Sequence, residues 1–368
     1  MCCCLGPMIT SGAPAPSGGP PTPSGGGGGV APHPGREAGR ALADRQVWMD
    51  AHAHPGRGFL EGLPADDVFV RLLGAPDSDR AFADLAAGGV RLAAFATVGD
   101  LCVLGVGPDG IRAARDFEPG EAAADHRRQL AAIGELARGP GRRLVANAAD
   151  LDPAPGELGV VVTCEGGDFL EGRLEGVAEA HAAGARSITL VHYRTNELGD
   201  IQTEPPLHGG LTGFGAEVVS EMNRLGLVVD LAHATWPVTR DVLDRSAAPV
   251  MISHSHLARG EDPHPRLLSL EHALAVVRAG GVVAAWPAGV ALTSFEEYLD
   301  EILRMIDALG IEGVAIGTDM DANYQPVVTS HRQFPDLAAG LLERGLAEAE
   351  IGAVLGGNLV RLFAEVLP

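Results

Sequence analysis

The chain of 368 residues contains no lysine, and arginine supplies all 27 of its basic side chains. That absence excludes a lysine Schiff base and a carbamylated lysine bridging two metals. Cysteine is scarce too. Of five, three sit together at Cys2, Cys3 and Cys4, leaving Cys102 and Cys164, too few and too scattered for a disulfide framework. No apolar run reaches the ~18 residues of a membrane helix. No basic segment followed by an apolar one marks a secretory signal, and Arg361 to Pro368 is too short a tail for a lipid-anchor signal. A cytoplasmic protein without membrane attachment is the expectation, with the Cys2–Cys4 cluster read as a stray tail rather than an acylation or metal site. Positive charge is also in deficit: the formal net charge of −21 repels a phosphate backbone, which argues against nucleic acid as a partner.

Apolar residues, at 46%, are plentiful enough for a large core. Residues 1 to about 45 are rich in Gly, Pro, Ser and Ala, including Gly25–Gly29 in a row, and are expected to be a disordered tail. From residue 46 to 368 the composition is that of one globular domain. Short apolar runs recur there: Val47–Asp50, Leu92–Val98, Val160–Glu165, Ile188–His192, Leu227–His233, Val250–His254, Val282–Trp286 and Val314–Asp319. They read as strands buried on both faces of a parallel sheet. Helical patterns alternate with them at Glu121–Arg138, Leu174–Ala183, Phe214–Leu225, Val238–Arg245, Leu268–Ala279, Phe295–Leu309 and Asp336–Arg344. Eight such units predict an α/β fold, a (β/α)8 TIM barrel. A doubly wound open sheet is the rival, but no Gly-x-Gly-x-x-Gly turn follows the first run.

Barrel enzymes draw their reacting groups from the C-terminal ends of the strands. Here those ends carry His52 and His54, Glu165, His192, His233, His254 and Asp319. Any one strand-end histidine is commonly a hydrogen-bonded core residue, and a lone His-x-His is a weak signal. Their coincidence points to a binuclear metal site in which Glu165 bridges two ions ~3.5–4 Å apart. The imidazole-rich set suits zinc or a similar borderline ion.

These residues, with Gly210-Leu211-Thr212-Gly213-Phe214-Gly215, Asp230-Leu231-Ala232-His233 and Gly317-Thr318-Asp319-Met320-Asp321, resemble the membrane dipeptidase (renal dipeptidase) family of the amidohydrolase superfamily. The resemblance implies a binuclear zinc-dependent dipeptidase, a dipeptide-like substrate with a free carboxylate, and a homodimer. It implies that His52, His54, Glu165, His233, His254 and Asp319 bind metal, that Glu165 takes part in catalysis as the bridge, and that Asp319 also moves a proton from the attacking water to the leaving amine. His192 would polarise the scissile carbonyl, and Arg266 would hold the substrate carboxylate, with Arg259 as the fallback.

Three departures stand out. His54 replaces the family's aspartate, the spacing from His254 to Arg266 is one residue longer than usual, and Ala285-Trp286-Pro287-Ala288 differs from the family's aromatic pattern. They leave open another small amide, a lactam or a peptide-like natural product as substrate. A catalytically silent metal-binding barrel is a further alternative, disfavoured by His192 and Asp319. Among the remaining residues, His256, His208, His264 and His331 are expected in loops, Asp230 is given no role, and Asp321 is left between orienting a ligand and capping an element. Cys164 is expected to be buried and inert. Trp286 is left between the substrate pocket and the core.

Overall fold

The computed structural model describes residues 32–107, 110–261 and 263–368. Cys2–Cys4 and residues 1–31 of the expected tail lie outside them.

Eight parallel strands follow one another around a barrel: β1 (Trp48–Ala53), β2 (Val90–Val98), β3 (Leu158–Glu165), β4 (Ala185–Thr189), β5 (Val228–Asp230), β6 (Met251–Ser255), β7 (Val282–Ala285) and β8 (Val314–Ile316). Each matches one of the apolar runs. Neighbours in sequence are neighbours in space throughout. The ring closes just past β8, where Asp319 N donates to His52 O (2.8 Å) and His54 N donates to Met320 O (2.9 Å). That closure removes the open-sheet alternative.

The longer helices among the described residues are α1 (Arg36–Ala43), α2 (Ser78–Gly88), α3 (Glu121–Leu136), α4 (Glu175–Ala182), α5 (Gly213–Leu225), α6 (Trp236–Leu243), α7 (Leu270–Arg278), α8 (Phe295–Leu309), α9 (Phe334–Glu343) and α10 (Asn358–Val366). Local chemistry sets their ends. Thr212, Thr235, Ser269 and Ser294 cap α5 to α8 by accepting from backbone N–H groups of the first turn. Gly226, at φ 72°, ends α5 in the left-handed conformation. The buried stripe of α5 is Val218, Val219 and Met222, as its 3.6-residue period requires.

The lower barrel interior is filled by Met49, Ala51, Leu92, Val161, Val228, Met251, Val282, Ala284 and Ala315. Leu359, Leu362 and Phe363 of α10 belong to the same cluster, so the last helix packs against it. The opposite end stays free for polar groups.

The ordered chain starts earlier than expected. Helix α1 lies inside the stretch read as tail, because it docks on α9. Leu42 and Ala43 are buried there, Arg36 pairs with Asp336, and a Cβ on Gly39 would meet Pro335 O at 2.0 Å. Only glycine permits that approach.

Candidate active site

Glu165 is the centre of the C-terminal face. Its Oε1 lies 3.3 Å from His52 Nε2, 3.2 Å from His233 Nε2 and 3.5 Å from His254 Nε2. Its Oε2 lies 3.4 Å from both His54 Nε2 and His192 Nε2. His54 Nε2 is also 3.4 Å from Asp319 Oδ1. Five strand-end imidazoles and two carboxylates thus share one buried cluster, and every strand-end residue singled out for it is present.

The backbone is bent to achieve this. The β1–β2 register slips by one residue between Asp50 and Ala53, a bulge beside His52. His233 (φ 67°) and Asp319 (φ 52°) both occupy the left-handed region, which non-glycine residues avoid. Such strain costs about 1–3 kcal/mol per residue and persists where surrounding structure enforces it.

The outer ring nitrogens fix the tautomers. His54 Nδ1 donates to Ala96 O (3.2 Å) and His192 Nδ1 donates to Asp100 Oδ1 (2.7 Å). His254 Nδ1 donates to Ser253 Oγ (3.0 Å), because that hydroxyl spends its own proton on Asp230 Oδ2 (2.6 Å). In the neutral ring each therefore presents an Nε2 lone pair inward. Neither ring nitrogen of buried His52 makes a well-aligned hydrogen bond, although its Nε2 lies 3.3 Å from Glu165, and the Nε2 atoms of His233 and His254 stand 3.0 Å apart. Inward lone pairs, an imidazole without a well-aligned hydrogen bond and a buried carboxylate fit a cation at the centre. Three overlapping sets could hold an ion: His52, Glu165 and His254; His52, His54 and Asp319; and Glu165, His192 and His233.

Within the cluster the imidazoles and carboxylates shift one another's ionisation. Burial opposes ionisation of Glu165, but His192, His52 and His233 outweigh it and hold its carboxyl well below the usual range. Burial would lower His54, yet Asp319 and Glu165 push it up to about 10. Burial, with Arg266 for one and His52 for the other, keeps His233 and His254 well below the ordinary imidazole value.

Arg266 is buried beside the cluster. Its Nη1 donates to Gln202 Oε1 (2.7 Å), its Nη2 has no partner, and its guanidinium carbon sits 5.4 Å from the Trp286 ring centre. Trp286 Nε1 is also a buried donor without a partner, and its ring meets His254 edge-on at 5.8 Å. Arg259 is engaged elsewhere: its guanidinium grips Glu301, which Arg304 also holds.

Several residues stand differently from the sequence reading. Asp230 accepts from Ser253 Oγ, Thr189 Oγ1, Ser253 N and Ala232 N, tying β4, β5 and β6 beneath the histidines. His331 is no surface loop residue: it is buried and donates to Asp50 Oδ2 (2.8 Å), whose other oxygen accepts from Thr318 N and His52 N. His256 is buried close to Glu301. His208 and His264 are exposed, as expected. Asp321 ties Gly56 N to Arg80. Cys164 is buried, which pushes its thiol up to about 12. Asp100 and Tyr193 escaped notice altogether. Asp100 follows the end of β2, so the strand-end rule applied to that strand would have found it.

A family model described as membrane dipeptidase (peptidase family M19) matches residues 110–367. The chain belongs to this family. The matched stretch includes Glu165, His192, His233, His254, Arg266 and Asp319, while His52 and His54 precede it. As a membrane dipeptidase family member, the chain is 35% identical to dipeptidase verJ of Clonostachys rogersoniana over 191 residues, which is 50% of this chain and 49% of that protein. It is 30% identical to dipeptidase 3 of Rattus norvegicus over 241 residues, 62% of this chain and 49% of the other. The chain thus spans about half the length of the curated relatives it matches. Among solved structures, the probable dipeptidase PvdM from Pseudomonas aeruginosa superposes with a TM-score of 0.73 at 18% identity, covering 90% of this chain and 98% of that one. A metallopeptidase from Rhodobacter sphaeroides, liganded with a phosphinate mimic of the dipeptide L-Ala-D-Ala, gives 0.72 at 22%, covering 87% and 99%. Both share the fold.

Proposed function

We propose that this family member is a binuclear metal-dependent dipeptidase acting on a small substrate with a free carboxylate. The observation that carries the reading is the ring of five imidazoles around Glu165, three with tautomers fixed to aim Nε2 at the same buried carboxylate. His52, His54, Glu165, His233 and His254 would hold two divalent ions, with Glu165 shared and zinc the expected metal. Such ions supply Lewis acidity and lower the pKa of water toward neutrality.

The chain's own groups provide the rest. Asp319 is the most exposed of the cluster's two carboxylates, with 14% of its side chain accessible, so it can take a proton from water and return it to the leaving amine. Burial lowers the basicity of His192, but Asp100 and Glu165 raise it by more, so the ring would act as the imidazolium and donate from Nε2 to the scissile carbonyl oxygen as charge develops there. The orphaned Nη2 of Arg266, beside the cluster rather than in it, suits the substrate carboxylate. His54 and Trp286 depart from the family pattern, which favours as a second reading another small amide with a carboxylate at the same distance from the scissile bond.

Metal content and turnover of a mixed dipeptide panel, on wild type and Asp319→Asn, test this. Two ions per chain with hydrolysis that collapses in the variant is the expected result. Two ions without dipeptide cleavage would transfer the reading to other amides. Failure to retain metal after reconstitution with zinc or manganese would end it.

A further inference from the structure

The turn after β4 brings a residue into the site that the chemistry above does not use. Because β4 ends at Thr189, His192 and Tyr193 do not alternate across an extended strand. Both oxygens of buried Asp100 hold this turn: Oδ1 accepts from His192 Nδ1 (2.7 Å) and Oδ2 accepts from Tyr193 N (2.9 Å). The two rings then meet edge-to-face, 4.4 Å between centres, and the Tyr193 ring stands 5.9 Å from His233. Tyr193 also packs against the apolar cluster of Phe59, Leu60, Phe69, Val98, Leu101 and Leu104, which fixes its position.

The half-buried phenol stands among unlike charges. Burial, helped by Asp319 and Glu165 and opposed by Arg266, raises it well above the ordinary phenol value. Any phenol is protonated at neutral pH and can donate. Among the described residues its hydroxyl has no hydrogen-bond partner. Tyr193 is half-buried, so this unpaired donor beside the histidines is open to an acceptor on a bound molecule.

We propose that Tyr193 is a substrate-binding residue whose hydroxyl donates to a substrate oxygen lying between Glu165 and Arg266. This rests on the dipeptidase reading, since it places a compact substrate with its scissile bond at Glu165 and its carboxylate at Arg266. It adds a specificity element that a histidine cluster and one arginine do not supply: a neutral donor between them.

Tyr193→Phe removes the hydroxyl and keeps the ring. Metal-loaded wild type and variant are titrated with a phosphinate analogue of a dipeptide, and kcat and KM are measured on any dipeptide the wild type cleaves. The variant is expected to bind the analogue about tenfold more weakly and to lose at least as much in kcat/KM, with metal content and melting temperature unchanged. A loss mainly in kcat places the contact in the transition state; a loss mainly in KM places it in the bound substrate. Equal affinity and equal kinetics would overturn the Tyr193 contact and leave the dipeptidase reading standing. Analogue binding that depends on Tyr193, without cleavage of any dipeptide, would retain the contact and remove the dipeptidase reading. No binding to either protein would overturn both.

Discussion

Oδ1 of Asp100, a carboxylate with no exposed surface, accepts a 2.7 Å hydrogen bond from His192 Nδ1. The contact fixes both the rotation and the tautomer of the ring, so the effect of Asp100 on chemistry passes through His192. Asp100→Asn is expected to lower kcat by about 10–100-fold, as loss of a supporting group beside a ligand set does. Metal content should hold. If kcat were unchanged while only the melting temperature fell, Asp100 would be structural.

Arg266 differs from Arg259 in having a free donor beside the cluster. Arg266→Lys loses the planar fork, so KM for a free-acid dipeptide should rise about tenfold or more. The same substrate capped as a carboxamide should discriminate little between the two proteins. Equal losses on both substrates would separate Arg266 from carboxylate recognition.

Metal uptake should release protons. His54 titrates at about 10 under the pull of Asp319 and Glu165 against burial, so it is charged at pH 7 without an ion. Ligation requires the neutral ring, and the proton must leave. Calorimetric zinc titrations in buffers of different ionisation enthalpy should report release of about one proton or more per chain. Chelation should in turn abolish hydrolysis and lower the melting temperature, because binding energy is also folding energy.

Acid lability should originate partly outside the histidine cluster. His126, stacked on Phe169 at 3.7 Å, is held down to about 3 by burial and then by Arg127. A histidine with a depressed folded pKa contributes stability that is full above its unfolded pKa near 6.5 and falls as pH drops toward 3. The slope from this one group is at most about 1.4 kcal/mol per pH unit. His126→Phe should flatten the fall in melting temperature between pH 6.5 and 4. An unchanged profile would assign the lability to His256 and His272, both held at about 4 mainly by burial.

The strand ends were legible because two constraints meet there. Buried parallel strands need continuous apolar runs, and polar residues stopping those runs stand out: His52, Glu165, His192, His233, His254 and Asp319 all did. Asp230 was misread because it sits within such a run, where its role depends on Ser253 and Thr189 from neighbouring strands. His331 and α1 were misread for a similar reason, since neither Asp50 nor the backbone of Pro335 is near them in sequence.

Composition, periodicity and the polar stops of the apolar runs determined the barrel and which polar side chains gather at its C-terminal face, because burial and strand period act over a few consecutive residues. Only the tertiary structure decided which nitrogen His54, His192 and His254 present, which arginine is free, and that Tyr193 stands against His192 and His233. Those outcomes depend on partners at a distance: Asp100 lies 92 positions from His192, and Glu301 lies 42 from Arg259. Hydrogen bonds and ion pairs of this kind form only once the closed ring has brought the strands together.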